Sequence, residues 1–235
     1  MSAEPPPVPV LAFHHLDADL DDYTNVRPEL YSELLTALAE RCRFTTASDG
    51  LSRRGSGALR PIVLTFDDAY ASIARPVLRG VARVGAVGTI CAITGYVGRA
   101  NEWNRKCAYW RQHLDVPALR DLRDAGWELA SHTREHHNLT RLPADHLRAE
   151  LCDSRRYLED TFGARVSTVA YPYGRHDERV RAEAARHYDY GLTTTTKPGS
   201  VDVAAHPHQV RRLVVTRSMS VADILTGIDG LWGYP

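Results

Sequence analysis

Short β-rich runs alternate with stretches of helical periodicity along this chain, and this alternation most constrains the fold it can adopt. Turn residues bound each run, and several runs are almost continuously apolar, as is typical of strands covered on both faces. Such a pattern favours parallel strands joined by helical crossovers. The predicted strands are 8–14, 61–67, 86–94, 127–132, 166–171, 188–195 and 211–217.

The predicted helices supply a layer that would cover these strands. Apolar residues recur at three- and four-residue steps at Leu30, Leu34 and Leu38, and again at Leu147, Leu151, Leu158 and Phe162. A third helix is expected to begin after Asp115, a good N-cap, and to stop at Gly126. About seven β/α units in one closed or nearly closed barrel fit this pattern better than a doubly wound sheet, although the sequence alone leaves both open.

Length and charge bound the organisation and the partners. A chain of 235 residues suits one α/β barrel, so we expect a flexible Pro-rich tail at 1–7 and one catalytic domain at 8–235. Lys plus Arg and Asp plus Glu both total 29, so the chain has no net field to attract nucleic acid or an anionic membrane. The sequence does not indicate an oligomeric state.

The remaining composition bears on location and cysteine chemistry. The first residues lack the basic flank and apolar stretch of an export signal, and no segment approaches membrane-spanning length, so a cytoplasmic location is expected. The four cysteines include no CxxC pair, which argues against a zinc ribbon and favours buried thiols.

Two adjacent carboxylates, Asp67 and Asp68, follow the apolar run 61–66. The carboxyl ends of parallel strands are where functional residues collect in either candidate architecture. Two neighbouring anions are costly, which suggests a functional site. Asp is also favoured at helix N-caps, so a simple cap for a helix over 70–84 is the alternative interpretation.

The run 127–132 ends in a second polar turn. His132 stands at the end of the run, and His136 lies four residues later in the turn. On a helical turn, positions four apart face the same way and can share one cation. Two imidazoles with one carboxylate form a common open metal shell that leaves room for water and substrate. A hydrogen-bonded surface histidine is the plainer reading of either residue taken alone.

At these positions the chain resembles the NodB-type polysaccharide deacetylases, metal-dependent carbohydrate esterases that remove acetyl groups from N-acetylglucosamine units. Three segments carry the resemblance, and their order and spacing span residues 8 to about 217. Thr65-Phe66-Asp67-Asp68 matches the first family motif, Ser131-His132-Thr133 through His136 and Leu139 matches the second, and Tyr171-Pro172-Tyr173-Gly174 matches most of the third.

The resemblance implies a distorted TIM-like barrel and assigns roles. One divalent metal ion, Zn²⁺ with Co²⁺, Ni²⁺ or Mn²⁺ as alternatives, would be held by Asp68, His132 and His136. Asp67 would be the general base. The backbone N–H of Tyr173 would help hold the oxyanion of the tetrahedral intermediate. The third motif would line the substrate groove, through Tyr171 and Pro172, although an ordinary strand-to-helix turn explains its side chains equally well.

The chain departs from the family pattern at three places. Ala69 stands where the first motif usually has Gly, which suggests a slightly different turn. Ala170 stands where many members have an arginine that pairs with the base, and Arg134 and Arg175 are both candidates to replace it.

The third departure is a missing histidine. The last predicted strand carries no histidine to act as general acid. The chain instead opens with Leu11-Ala-Phe-His14-His15, like a subgroup in which an N-terminal strand supplies the acid. His14 is therefore the candidate acid, with His206 and His208 behind it and a packing or capping role as the alternative.

These features predict a metal-dependent hydrolase that deacetylates an amino sugar or a small metabolite bearing one. A relative that hydrolyses another C–N bond, such as a cyclic amide or formamide, and a catalytically silent sugar-binding barrel are the alternatives. The long segment 95–114 contains Trp103, which could form a lid or substrate wall or lie on a packed surface loop. The expected partner is a saccharide or small molecule.

Overall fold

A computed structural model describes residues 8–52, 59–101, 111–195, 203 and 205–231. The strands are β1 (Val10–Phe13), β2 (His15–Leu16), β3 (Asn25–Val26), β4 (Cys42–Thr45), β5 (Arg60–Phe66), β6 (Thr89–Ala92), β7 (Glu128–Ser131), β8 (Thr168–Ala170), β9 (Tyr190–Thr195) and β10 (Val210–Val214). The helices are α1 (Pro28–Ala39), α2 (Ala47–Leu51), α3 (Ala74–Val84), α4 (Val116–Asp124), α5 (Ala144–Phe162), α6 (Glu178–Ala184) and α7 (Val221–Leu231).

The main sheet closes on itself. Its order is β1-β10-β9-β8-β7-β6-β5, and β1 pairs in parallel with β5, which makes a closed barrel of seven strands. The predicted barrel is therefore confirmed, and all seven predicted strands are present. Six of them are shorter than predicted, and β5 is shifted by one residue toward the N-terminus. The sequence pattern missed β4, which pairs with the first half of β5, because four residues that include an arginine give little periodicity to detect.

The barrel interior is packed by one small cluster of side chains. The cluster takes one residue from each barrel strand and two from α2: Val10, Val63, Cys91, Ala130, Ala170, Leu192 and Val210, with Ala47 and Leu51. The N–H of Ala47 donates to Thr89 Oγ1 at 2.8 Å, at the first residue of β6, so α2 covers the amino end of the barrel. Among the described residues, this leaves the carboxyl end of the barrel to hold a functional site.

The helices pack outside the barrel through the predicted apolar faces. Leu34 and Leu38 of α1 and Leu151 of α5 are fully buried. The carboxylate of Asp115 caps α4 by accepting the N–H of Ala118 at 2.9 Å, as predicted. The helix expected over 70–84 begins as a 3-10 turn at Ala71–Ile73 and continues as α3.

Two expectations about the whole chain concern its tail and the membrane. The predicted tail, residues 1–7, lies outside the described residues, so the domain boundaries stay a prediction. Among the residues that the structure describes, no helix combines the length and the apolar character that a membrane span requires.

Candidate active site

A tight turn after β5 presents both aspartates at the carboxyl edge of the barrel. Asp68 and Ala69 have left-handed backbone conformations, with φ of 65° and 55°. Ala69 thus adopts a backbone conformation that glycine adopts freely. This conformation is less favourable by about 1 kcal/mol for a residue with a β-carbon. Both carboxylates are buried, and neither caps the helix that follows. The helix-cap interpretation is therefore wrong.

A loop after β7 carries the two histidines. His132 directly follows the strand, and its Nδ1 donates to the carbonyl of Ala170 on β8 at 2.8 Å, which leaves Nε2 to face Asp68. The expected helical turn between the imidazoles is absent from this described loop. Thr133 and His136 are instead left-handed, with φ of 67° and 59°, and this reversal brings the second imidazole back to the first.

The three side chains converge on one point. Asp68 Oδ1 lies 3.4 Å from His132 Nε2 and 3.5 Å from His136 Nε2. One ligand atom from each residue lies within 4.8 Å of the others, and all three residues are buried. A carboxylate oxygen and two imidazole nitrogens at this spacing are a donor set that suits a divalent cation.

The buried titratable groups of this cluster shift one another's pKa values. Burial alone would raise the pKa of the Asp68 carboxyl, but the neighbouring imidazoles of His136 and His132 hold it well below its usual range. Burial lowers the pKa of His136 to about 4, so this imidazole is neutral near pH 7 and offers a lone pair. Burial also lowers the pKa of His132, but the carboxylates of Asp67 and Asp68 outweigh it and raise that pKa above normal.

Asp67 is paired with an arginine that sequence reasoning missed. Arg212 on β10 is fully buried and donates from Nη1 and Nη2 to the two oxygens of Asp67, each at 2.7 Å. Its Nη1 also donates to Thr65 Oγ1 at 2.9 Å, and its Nε donates to the carbonyl of Thr193 at 3.2 Å. Burial would raise the pKa of Asp67, but Arg212 keeps it strongly depressed.

Neither arginine proposed from the sequence supplies this cation. Arg134 is half exposed and pairs with Glu135 and Asp153, and Arg175 is exposed. The only hint in the sequence was a charged residue inside an apolar strand. Arg211 and Arg212 both fit that hint, because the pattern alone does not say which one points inward.

The candidate acid, His14, follows β1 and reaches the same edge. Its Nε2 lies 4.0 Å from Asp67 Oδ2, and its side chain is 20% exposed. His206 and His208 precede β10, and Nε2 of His208 contacts the carbonyl of Tyr188 before β9. The structure therefore brings His14 to the site and leaves the other two at the amino edge.

The third motif divides into a buried and an exposed tyrosine. Tyr171 is fully buried, and its hydroxyl donates to the carbonyl of His208 at 3.1 Å, at the amino side of the barrel. The expectation that Tyr171 contacts substrate is therefore wrong, because the side chain belongs to the core. Pro172 is also buried.

Tyr173 has the opposite environment. It has a φ of 60°, the residue is 56% exposed, and its ring centroid lies 4.6 Å from that of His136. This tyrosine therefore stands beside the three-residue cluster and faces solvent. Trp103, the remaining candidate, lies outside the described residues.

Three further aromatic residues lie around Asp68. Nδ1 of His113 donates to the carbonyl of Asp68 at 2.6 Å. The ring of Tyr70 stacks on His15 at a centroid distance of 3.9 Å and contacts His113 at 4.7 Å. His113 lies on the returning arm of the long segment 95–114, so the ends of that segment are anchored beside the site. Apolar periodicity contains no signal for these three residues.

The closed parallel barrel, with its buried polar residues at the carboxyl edge, belongs to the class of α/β-barrel proteins. Within that class, the sequence profile of the polysaccharide deacetylase family matches residues 55–193, more than half of the chain. The chain belongs to this family, and the resemblance seen in the sequence is confirmed.

Individual relatives agree with the family. YxkH of Bacillus subtilis is 26% identical over 162 residues, which cover 68% of this chain and 53% of YxkH. The poly-β-1,6-N-acetyl-D-glucosamine N-deacetylase of Staphylococcus aureus is 24% identical over 222 residues, covering 87% of this chain and 72% of that enzyme. The present chain thus spans about half the length of YxkH.

A solved structure shares the fold. The deacetylase PplD of Streptococcus pyogenes, determined in complex with acetate, superposes with a TM-score of 0.80 at 22% sequence identity. The superposition covers 95% of this chain and 99% of PplD. At this level of identity the likeness concerns the fold alone.

Proposed function

We propose that this protein is a divalent-metal-dependent deacetylase that removes the acetyl group from an N-acetylated amino sugar. The observation that carries the proposal is the buried cluster of Asp68, His132 and His136 beside the Asp67–Arg212 pair. Family membership supports the reaction class. The Staphylococcus aureus relative, an N-deacetylase of poly-N-acetylglucosamine, favours a saccharide substrate.

The donor set fits a resident cation. Asp68 Oδ1 has no hydrogen-bond partner among the described residues although it is buried, which is costly unless something positive sits beside it. The bond from His132 Nδ1 to the carbonyl of Ala170 orients that imidazole in the way typical of metal ligands. We expect Zn²⁺, with Co²⁺, Ni²⁺ or Mn²⁺ as alternatives. When bound, the cation supplies Lewis acidity toward the acyl oxygen.

Asp67 is proposed as the general base. As a water oxygen forms a bond to the acyl carbon, Asp67 accepts the proton that the water loses. Arg212 keeps this carboxylate ionised and fixes the plane of its two oxygens, so the acceptor does not have to reorient during the step. Because a strongly depressed pKa weakens a base, we assign Arg212 the orientation of Asp67 as its main contribution.

His14 is proposed as the general acid. Its Nε2 lies near Asp67 and its side chain is partly open to solvent, which suits a group that meets the substrate. A protonated His14 would donate to the leaving nitrogen as the C–N bond breaks, so that a free amine and acetate leave the site.

Tyr173 is proposed to complete the site. Its backbone N–H would donate to the developing oxyanion, and its exposed ring would form one side of the sugar groove. Pro172 would act by fixing the turn that presents Tyr173. The proposed contribution of Trp103 to a substrate wall stays a prediction, as does the cytoplasmic location.

The test is acetate release from N-acetylglucosamine oligomers with β-1,6 or β-1,4 linkages. Wild-type protein should release acetate, lose the activity to a chelator, and regain it with Zn²⁺ or Co²⁺. Asp68→Asn should bind no metal and remain inactive. Turnover by a verified metal-free sample would refute the metal role, and metal binding without release of any acyl group would indicate a saccharide-binding protein.

A further inference from the structure

The loop that holds His136 has an unusual backbone for its sequence. Thr133 and His136 both adopt left-handed φ values without being glycine, and residues 132–138 form no regular helix. Such conformations persist only where neighbouring contacts determine them. Because His132 and His136 stand at either end of the reversal, whatever fixes this loop also fixes the spacing of the two imidazoles.

A buried carboxylate on α5 makes that contact. Glu150 Oε2 accepts the backbone N–H groups of Arg134 and Glu135, each at 2.9 Å. Its other oxygen, Oε1, lies 3.1 Å from Nδ1 of His137. The residue is buried and, among the described residues, forms no ion pair with a lysine or arginine. Its charge is therefore satisfied by the loop itself.

The next turn of α5 holds the beginning of the same loop. Ser154 Oγ lies 2.8 Å from Ser131 Oγ, which accepts the N–H of Thr133 at 3.0 Å. Ser154 is in turn anchored by donating to the carbonyl of Glu150 at 2.7 Å. One face of α5 thus forms hydrogen bonds with the loop both before and after its left-handed residues.

We infer that Glu150 is a positioning residue, which sets the place of His136 in the proposed metal site through the backbone between Arg134 and His137. The inference rests on the proposed function, since it concerns a metal ligand. Glu135, His137 and Glu150 also lie close enough to suggest a second cation site. The contacts argue against that, because both oxygens of Glu150 are already engaged and the other two residues are exposed.

The experiment compares three variants that keep the shape of the loop as far as possible. Glu150→Asp keeps the charge but withdraws it by one methylene, so it cannot reach both amides. Glu150→Gln keeps the reach, since its carbonyl oxygen can accept both N–H groups. Glu135→Gln removes a neighbouring exposed carboxylate and serves as the matched control.

Each metal-stripped protein is titrated with Co²⁺ and Zn²⁺ against a chromophoric chelator, and its thermal unfolding is followed without metal. Glu150→Asp should bind more weakly by on the order of tenfold and alter the visible spectrum of bound Co²⁺. Glu150→Gln should stay within about threefold of wild type, well short of that loss, and Glu135→Gln should match wild type.

The outcomes distinguish failure of the positioning role of Glu150 from failure of the proposed function. Unchanged Co²⁺ and Zn²⁺ affinity in Glu150→Asp, with or without a lower unfolding temperature, would overturn the positioning role. Equal losses in Glu135→Gln and Glu150→Asp would also overturn it, because the loss would then not depend on the hydrogen bonds of Glu150 to the two backbone N–H groups. Failure of the wild-type protein to bind either metal would instead refute the proposed function.

Discussion

Arg212 and Asp67 form a fully buried bidentate pair although they lie 145 residues apart in the chain. The pair joins β10 to the end of β5 across the interior of the barrel. Thr65 and Thr193 add two further acceptors, so the guanidinium has a single orientation. The same contacts that hold the barrel together at this level therefore fix the proposed general base.

We expect Arg212→Lys to lower the stability of the protein and to change how that stability depends on pH. An ammonium lacks the two parallel N–H groups that the guanidinium presents to the two oxygens of Asp67, so we expect a loss of about 2 kcal/mol of stability. The depressed pKa of Asp67 contributes stability that is present above the pKa of the unfolded chain and is lost as pH falls through the folded value. With a weaker partner the folded pKa rises, so acid unfolding should begin at higher pH.

The measurement is urea unfolding across a series of acidic pH values, together with the pH profile of kcat/KM. Arg211→Lys is the matched control, because Arg211 is the adjacent exposed arginine of the same strand. Identical acid profiles for the two variants would contradict the assigned role of Arg212.

Asp67→Asn tests the general base. The amide should leave the three proposed ligands in place, so the metal content should stay near that of wild type while kcat falls by about 10²–10⁴. The structure adds that Arg212 then loses an anionic partner in a buried site, so unfolding should also occur at lower temperature. Loss of the metal from this variant would instead identify Asp67 as a ligand.

His14→Gln tests the general acid. Removal of the proton donor should lower kcat by about 10²–10⁴ without changing metal content. His206→Gln is the control, since this exposed histidine precedes β10 at the opposite edge. A normal kcat in His14→Gln would leave the packing or capping role for His14.

Two tyrosines of one motif should respond in opposite ways. Tyr173→Ala should raise KM severalfold with little change in stability, because its ring is exposed. Tyr171→Phe should lose about 1 kcal/mol of stability through the lost bond to the carbonyl of His208, with KM unchanged. Saccharide titrations and thermal unfolding of both variants decide the matter, and an increase in KM for Tyr171→Phe would contradict the buried placement.

The sequence alone determined the barrel strands and much of the candidate site. Apolar runs of β-branched residues specify strands locally, and polar residues directly after such runs must lie at the carboxyl edge of a parallel sheet. Asp67, Asp68, His132 and His136 could be grouped for this reason. His14 followed from the family resemblance, and its position after β1 agrees with it.

Only the tertiary structure decided which more distant groups complete the site. Side chains alternate between the two faces of a strand, so the choice of Arg212 over Arg211 depends on the register of β10 within the closed barrel. The burial of Tyr171 and the hydrogen bonds from the loop of His136 to Glu150 depend likewise on packing between different segments of the chain. Local periodicity carries no information about such contacts, because they exist only once the barrel has closed.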